Sequence, residues 1–128
     1  QTVKKIISSG KNPTHSRVLI MGITFKEDVT DIRNSKVTDI IAELNDFSVH
    51  VDVIDSMADA AEVKHEYGIT MKKKPSGKYD AIILAVSHKP YLKIDEKWLS
   101  PLLNKDGIVI DVKGILRGKI NKHTYWSL

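Results

Sequence analysis

Five charged residues, Lys26, Glu27, Asp28, Asp31 and Arg33, crowd one short stretch that follows an apolar run at Val18, Leu19, Ile20, Met21 and Ile23. A second cation, Lys113, stands just after another apolar run that ends at Val112. Lysines brought together can act as charge-assisted donors to one anionic ligand, a phosphate above all. A helix N-terminus opening near Ser35 would add a favourable dipole. The competing reading pairs Lys26 and Arg33 with Glu27, Asp28 and Asp31 as solvated loop salt bridges. Residue chemistry alone leaves these two readings level.

The other candidate groups are thinner. None of the five histidines, His15, His50, His65, His88 and His123, has metal-ligand spacing, so no metal site is expected. His88 alone falls at a predicted strand end and is a candidate to line a site. His50, set among valines, is expected to face outward. Asp55 follows a predicted strand, where a capping role is the simpler assignment. No Ser-His-Asp set can be assembled, and the absence of cysteine excludes thiolate chemistry and disulfides within this chain. Trp98 and Trp126 read as core or interface aromatics.

The elements that must position these groups follow from periodicity. Residues 17–24 and 79–86, together with 107–112, are apolar at consecutive positions, as in parallel strands covered on both faces. Residues 49–54 alternate more cleanly and give another strand. Val37, Ile40, Ile41 and Leu44 mark an amphipathic helix, which Asn34 or Ser35 is placed to cap. Residues 57–67 form a weaker helix closed by Gly68, and 69–71 suit a short edge strand. Asp95 caps a short helix through Trp98 and Leu99 that Pro101 interrupts. The remainder reads as a basic tail ending in Tyr125-Trp126. Strands alternating with helices predict an α/β fold, a Rossmann-like three-layer sandwich with a mostly parallel sheet. Its strand-end loops would converge at residues 24–33, 87–88 and 113–114, the edge where such sheets bind ligands.

Length and composition fit one globular domain: 128 residues, 41% hydrophobic and 28% charged. No segment approaches the roughly 18 uninterrupted apolar residues of a membrane span, and no signal peptide is visible. No membrane partner is therefore expected, and the cysteine count is compatible with a cytoplasmic setting. The net charge of +4 raises nucleic acid as a partner. Charges are mixed along most of the chain, however, and no aromatics interleave with the basic residues as a single-strand platform requires. Nucleic acid is set aside, and Lys72-Lys73-Lys74 reads as a solvated face. The chain starts at Gln1, and Val3, Ile6 and Ile7 have helical spacing. Residues 1–16 are expected to be the end of a connecting helix and a linker, making this a piece of a longer protein whose domain spans 17–128.

A dinucleotide fingerprint would place G-x-G-x-x-G after the first strand. Only Gly22 is present there, so a self-sufficient NAD site is not expected. A receiver-like module would need an acidic pair where the first strand ends, and that pair is missing too. A non-catalytic nucleotide-binding or regulatory α/β module stays open as the alternative reading.

Residues 22–37 strongly resemble the opening of the C-terminal domain of UDP-glucose/GDP-mannose dehydrogenases, where a strand is followed by Phe-Lys, a short acidic loop, Asp-x-Arg-x-Ser and a helix. The matching residues are Phe25-Lys26 and Asp31-Ile32-Arg33-Asn34-Ser35. Tyr79-Asp80-Ala81 and the run after it resemble the next buried strand of that domain. Ile110-Asp111-Val112-Lys113-Gly114 resembles its last. The variant of the motif here resembles the branch that oxidises UDP-N-acetylhexosamines.

The resemblance implies the UDP-sugar-binding part of an NAD-dependent nucleotide-sugar 6-dehydrogenase. Such enzymes oxidise a UDP-sugar to the UDP-uronic acid for polysaccharide biosynthesis, using two NAD. It implies N-terminal and central domains in the same polypeptide, the first holding NAD and the second mediating homodimerisation. The catalytic cysteine would lie there, and this chain alone would be inactive. Phe25, Lys26 and Lys113 would contact the UDP-sugar, and Arg33 would approach NAD. Lys113 stands where many members carry arginine, replacing a bidentate fork with a point charge.

Overall fold

The computed structural model describes Lys4 and residues 12–127. The helical turns expected around Val3, Ile6 and Ile7 lie outside the described residues. Five strands, β1 (Arg17–Met21), β2 (His50–Ile54), β3 (Tyr79–Leu84), β4 (Leu103–Asp111) and β5 (Thr124–Ser127), form one sheet in the order β2-β1-β3-β4-β5. Every adjacent pair is parallel. The α/β prediction holds, and the sheet is fully parallel.

Consecutive apolar residues make sense in such a sheet because side chains alternate between faces that are both covered. In β1, Val18 and Ile20 join one buried cluster while Leu19 and Met21 join the other, all at most 1% exposed. The first cluster is closed by α1 (Val37–Asp46) and α2 (Ala60–Tyr67), through Val37, Ile41, Leu44 and Val63. The second is closed by α3 (Glu96–Leu99) with its flanking 3-10 turns, through Tyr91, Ile94 and Leu99, and by Leu116.

Local signals set most boundaries. Ser35 Oγ accepts from Val37 N–H at 3.3 Å, so the expected capping side chain meets the first helical amide although the capping position itself is Lys36. Helix α2 begins later than predicted. Asp55 Oδ1 takes Met57 N–H (2.6 Å) and Ala58 N–H (2.8 Å) into a turn, and Asp59 caps the helix that follows. Gly68 ends it at φ +70°, in the left-handed conformation a terminating glycine adopts without strain. Asp95 caps α3 through Trp98 N–H, as expected.

Two expectations fail. Residues 69–71 form no strand; Ile69 and Met71 pack against the first cluster from a loop. The basic tail, conversely, contains β5, which extends the sheet beside β4. Side-chain bonds hold it there. Tyr125 Oη–H donates to Asp111 Oδ2 at 2.6 Å, and the Glu96 carboxylate accepts from Asn121 N–H, Lys122 N–H and His123 Nδ1. Burial beside the Asp111 carboxylate raises the Tyr125 hydroxyl to about 12. Trp98 and Trp126 are not core residues, being 42% and 45% exposed. His50 is exposed, as predicted, and donates toward buried Asp52.

Candidate functional site

In the order β2-β1-β3-β4-β5 the chain turns one way from β1 to β2 and then crosses to the other side for β3. The switch point therefore lies between the carboxyl ends of β1 and β3, where doubly wound sheets leave a crevice for ligands. Gly22 sits there at φ +101°, and a Cβ at this position would come within 2.6 Å of Val86 Cβ and 2.8 Å of Val86 N. The lone glycine after β1 therefore serves the close approach of β1 to the β3 end. It lines no pyrophosphate, which agrees with the missing dinucleotide fingerprint.

Asp55, at the end of β2, organises the floor of this edge. Its Oδ2 accepts from Ile23 N–H (2.6 Å), Thr24 N–H (3.3 Å) and His88 Nε2 (3.0 Å), while Oδ1 serves Met57 and Ala58. Burial by itself would raise this carboxyl. The backbone N–H groups of Ile23, Met57 and Ala58, with the His88 ring N–H, outweigh it and hold the carboxyl below the usual range. The predicted capping role is the observed one, extended to three loops at once.

His88 does not line a site. It is 0% exposed, a correction to the expectation from its strand-end position. Its Nδ1 faces Asp28 N–H at 2.9 Å, and since an amide can only donate, the ring carries its proton on Nε2. Thr24 Oγ1 donates to Lys26 C=O at 2.8 Å, leaving it an acceptor for the same Nε2–H at 3.2 Å. Asp28 Oδ1 accepts from Lys89 N–H at 2.7 Å, which ties the charged loop to the β3 loop a second time.

Above this floor the exposed face opens into a cavity of about 320 Å³ whose lining includes Phe25, Asn34, Lys36, Val86 and Lys113. Phe25 and Lys113, two of the residues singled out in the sequence, thus meet across one space. Phe25 is 55% exposed, unusual for a phenyl ring in a well-packed domain. Lys113 is presented by a turn that Asp111 folds: Oδ1 accepts from Gly114 N–H (3.0 Å) and Oδ2 from Leu116 N–H (2.7 Å). Lys26 is exposed beside Phe25 but not in the lining, and among the described residues no carboxylate pairs with its ammonium. Arg33 lies outside the cavity. Both its Nε and Nη2 donate to Asp31, at 3.1 and 3.2 Å, and this bond lowers the Asp31 carboxyl. The salt-bridge reading therefore holds for Arg33 and fails for Lys26. Lys36 was not singled out in the sequence and Asn34 was read only as a helix cap and part of the motif, although their place just ahead of an amphipathic helix at a strand-end loop was a usable signal for the site. Among the described residues no cluster of His, Asp or Glu could hold a metal ion.

Ser87, next to the cavity wall, has a buried Oγ with no hydrogen-bond partner among the described residues. A hydroxyl desolvated without compensation opposes folding. Ser87→Ala is therefore expected to leave stability unchanged or raise it by about 1 kcal/mol, read as the midpoint of urea unfolding. A loss of 2 kcal/mol or more would show that the hydroxyl has a partner.

Fold and crevice together define a parallel, doubly wound α/β domain with a cleft at its switch point lined by lysines and one phenyl ring. Residues 19–118 match the model of the UDP-glucose/GDP-mannose dehydrogenase family, UDP binding domain, and the chain belongs to that family. It is 40% identical over 117 residues to the UDP-N-acetyl-D-glucosamine 6-dehydrogenase of Pseudomonas aeruginosa, covering 91% of this chain and 28% of that protein. Identity to the Salmonella typhi protein of the same name is 38% over 117 residues, with the same coverage. The chain thus spans little more than a quarter of the curated relatives it matches. A solved NDP-N-acetyl-D-galactosaminuronic acid dehydrogenase from Methanosarcina mazei Go1 superposes with TM-score 0.83 at 21% identity, over 98% of this chain and 27% of that one. That likeness is one of fold. No helix among the described residues is long and apolar enough to cross a membrane.

Proposed function

We propose that this chain is the UDP-sugar-binding domain of an NAD-dependent 6-dehydrogenase that oxidises a UDP-N-acetylhexosamine to its uronic acid. The observation that carries the reading is the meeting of Phe25 and Lys113 around one cavity at the switch point, in a chain belonging to a UDP-binding family. A nucleoside diphosphate is both anionic and aromatic. Lys113 and Lys36 offer charge-assisted donors to the diphosphate, Lys26 reaches it from the rim, and the exposed Phe25 ring offers a flat apolar face. Relatives named UDP-N-acetyl-D-glucosamine 6-dehydrogenase support the choice of sugar class.

NAD, when bound in the complete enzyme, accepts the electrons lost as the C6 alcohol becomes a carboxylate. The residues present do not form a dinucleotide site of their own, because Gly22 is committed to Val86. The cofactor is instead held by an N-terminal domain of the same polypeptide, with Arg33 facing it from this side. Asp31 keeps the guanidinium oriented by taking its Nε and Nη2. The part played by these residues is binding, orientation and exclusion of water as the domains close on the substrate. The complete protein is a cytoplasmic homodimer serving polysaccharide biosynthesis, and this chain alone oxidises nothing.

Calorimetric titration with UDP and with ADP tests the reading. UDP is expected to bind more tightly than ADP, and Phe25→Ala or Lys113→Ala to weaken UDP about tenfold or more, since a charge-assisted contact contributes roughly 1.5–3 kcal/mol. Equal affinity for the two nucleotides, or variants that bind like the parent chain, would overturn it.

A further inference from the structure

Phe25 and Lys26, both exposed, are carried by a loop and not by a strand or helix. A loop that must be ordered by its ligand loses affinity to the entropy of ordering. One buried ring ties this loop down. His88 meets the segment at both ends: Nε2–H reaches Thr24 Oγ1 at 3.2 Å and Nδ1 accepts from Asp28 N–H at 2.9 Å. The three residues between them include Phe25 and Lys26. Asp28 stands at φ +59°, a conformation that costs an L-residue free energy, and its carboxylate returns the link by accepting from Lys89 N–H. The ring is anchored from below by Asp55, which is itself fixed by four backbone amides.

We infer that His88 is a positioning residue for nucleotide binding: held by Asp55, it latches residues 24–28 so that Phe25 and Lys26 are ordered before the ligand arrives. The inference rests on the proposed UDP-binding function. It gives His88 two separable duties: Nε2–H secures the core at Asp55 and touches Thr24, which Asp55 also holds by its backbone N–H, while Nδ1 alone secures the Asp28 end of the loop. Direct ligand contact is excluded by its zero exposure.

The two ring nitrogens can be replaced one at a time. His88→Gln places an amide N–H near the Nε2 position and offers nothing at Nδ1, while His88→Asn places a carbonyl near Nδ1 and gives up the reach to Asp55. His88→Gln is expected to unfold close to the parent temperature, to lose protection of the Asp28 amide from hydrogen exchange, and to bind UDP about tenfold more weakly. His88→Asn is expected to melt earlier yet keep Asp28 protection and bind UDP within about twofold of the parent. Parent-like exchange and affinity in His88→Gln would overturn the inference.

Should neither variant fold, Asp28 tests the returning link of the same loop, its carboxylate to Lys89 N–H, since the backbone bond to His88 is kept whatever side chain stands at position 28. Glycine and asparagine both tolerate its positive φ, but only asparagine keeps an acceptor for Lys89 N–H. Asp28→Gly should weaken UDP and Asp28→Asn should not; equal affinities in all three would overturn the claim that ordering residues 24–28 before binding sets the affinity. If the parent chain binds no UDP, the proposed function falls, and the latch is then judged by Asp28 amide exchange alone.

Discussion

Replacing Asp55 with alanine is expected to destabilise the domain by about 3–5 kcal/mol, a large share of the roughly 5–15 kcal/mol that holds a domain of this size together. The carboxylate collects five donors, four of them backbone amides from two loops and the fifth the ring of His88. Removing it strands those donors in a place with no exposed side-chain surface. Urea unfolding at neutral pH measures the loss directly.

The same carboxylate predicts a pH dependence with a definite sign. Its titration lies below that of an unfolded aspartate, about 3.9, so its contribution is complete above about pH 4 and is lost as pH falls through the folded value. Asp52 acts in the same direction. Burial would raise it, but Tyr79 Oη–H, Lys72 and His50 together hold it low. Asp55→Ala should therefore flatten the acid limb of the stability curve without abolishing it. An unchanged acid limb would place the destabilisation elsewhere.

Gly22→Ala is the second large effect, expected at about 2–5 kcal/mol from overpacking and a disfavoured backbone together. The new methyl would meet Val86 backbone and side chain at 2.6–3.0 Å where Ala85 N–H and Val86 N–H both bond to Met21 C=O. The strands cannot separate there without breaking that pairing. Val86 also lines the cavity, so UDP affinity should fall along with the melting temperature. Gly68→Ala is the control. Gly68 has a positive φ as well, but nothing lies within 4 Å of its added Cβ, so only the conformational cost of about 1 kcal/mol applies. Equal losses at the two glycines would mean that backbone strain, not the close approach, governs Gly22.

What could be read in the sequence was what depends on local pattern. Continuous apolar runs exposed β1, β3 and β4 because a strand buried on both faces has no polar alternation. The spacing of Val37, Ile40, Ile41 and Leu44 gave α1, Lys26 and Lys113 could be nominated from strand ends, and Phe25 came only with the family motif. Strand β5 was hidden because it is four residues long, sits at the sheet edge, and buries neither face fully. Its register comes from Asp111 and Glu96, partners 14 and 25–27 residues away, which no window reveals. The burial of His88 is illegible for the same reason. A histidine at a strand end faces the cleft or the core according to whether Asp28 and Asp55 take its two nitrogens, and both are distant in sequence. The partners of Lys26 and Arg33 were undecidable among three nearby carboxylates, and a two-residue turn decided for Asp31 and Arg33.

The most direct test of the central claim is an amide shift map of this chain during titration with UDP, repeated with Lys26→Ala. The account predicts shifts at Phe25, Lys26, Lys36 and Lys113, on the carboxyl edge of the sheet, and about tenfold weaker binding in the variant. Shifts centred instead on Lys72, Lys73, Lys74 and Arg17, whose guanidinium bonds Ser76 and Lys78 C=O at the amino edge, would contradict it. So would no shift at all at millimolar UDP.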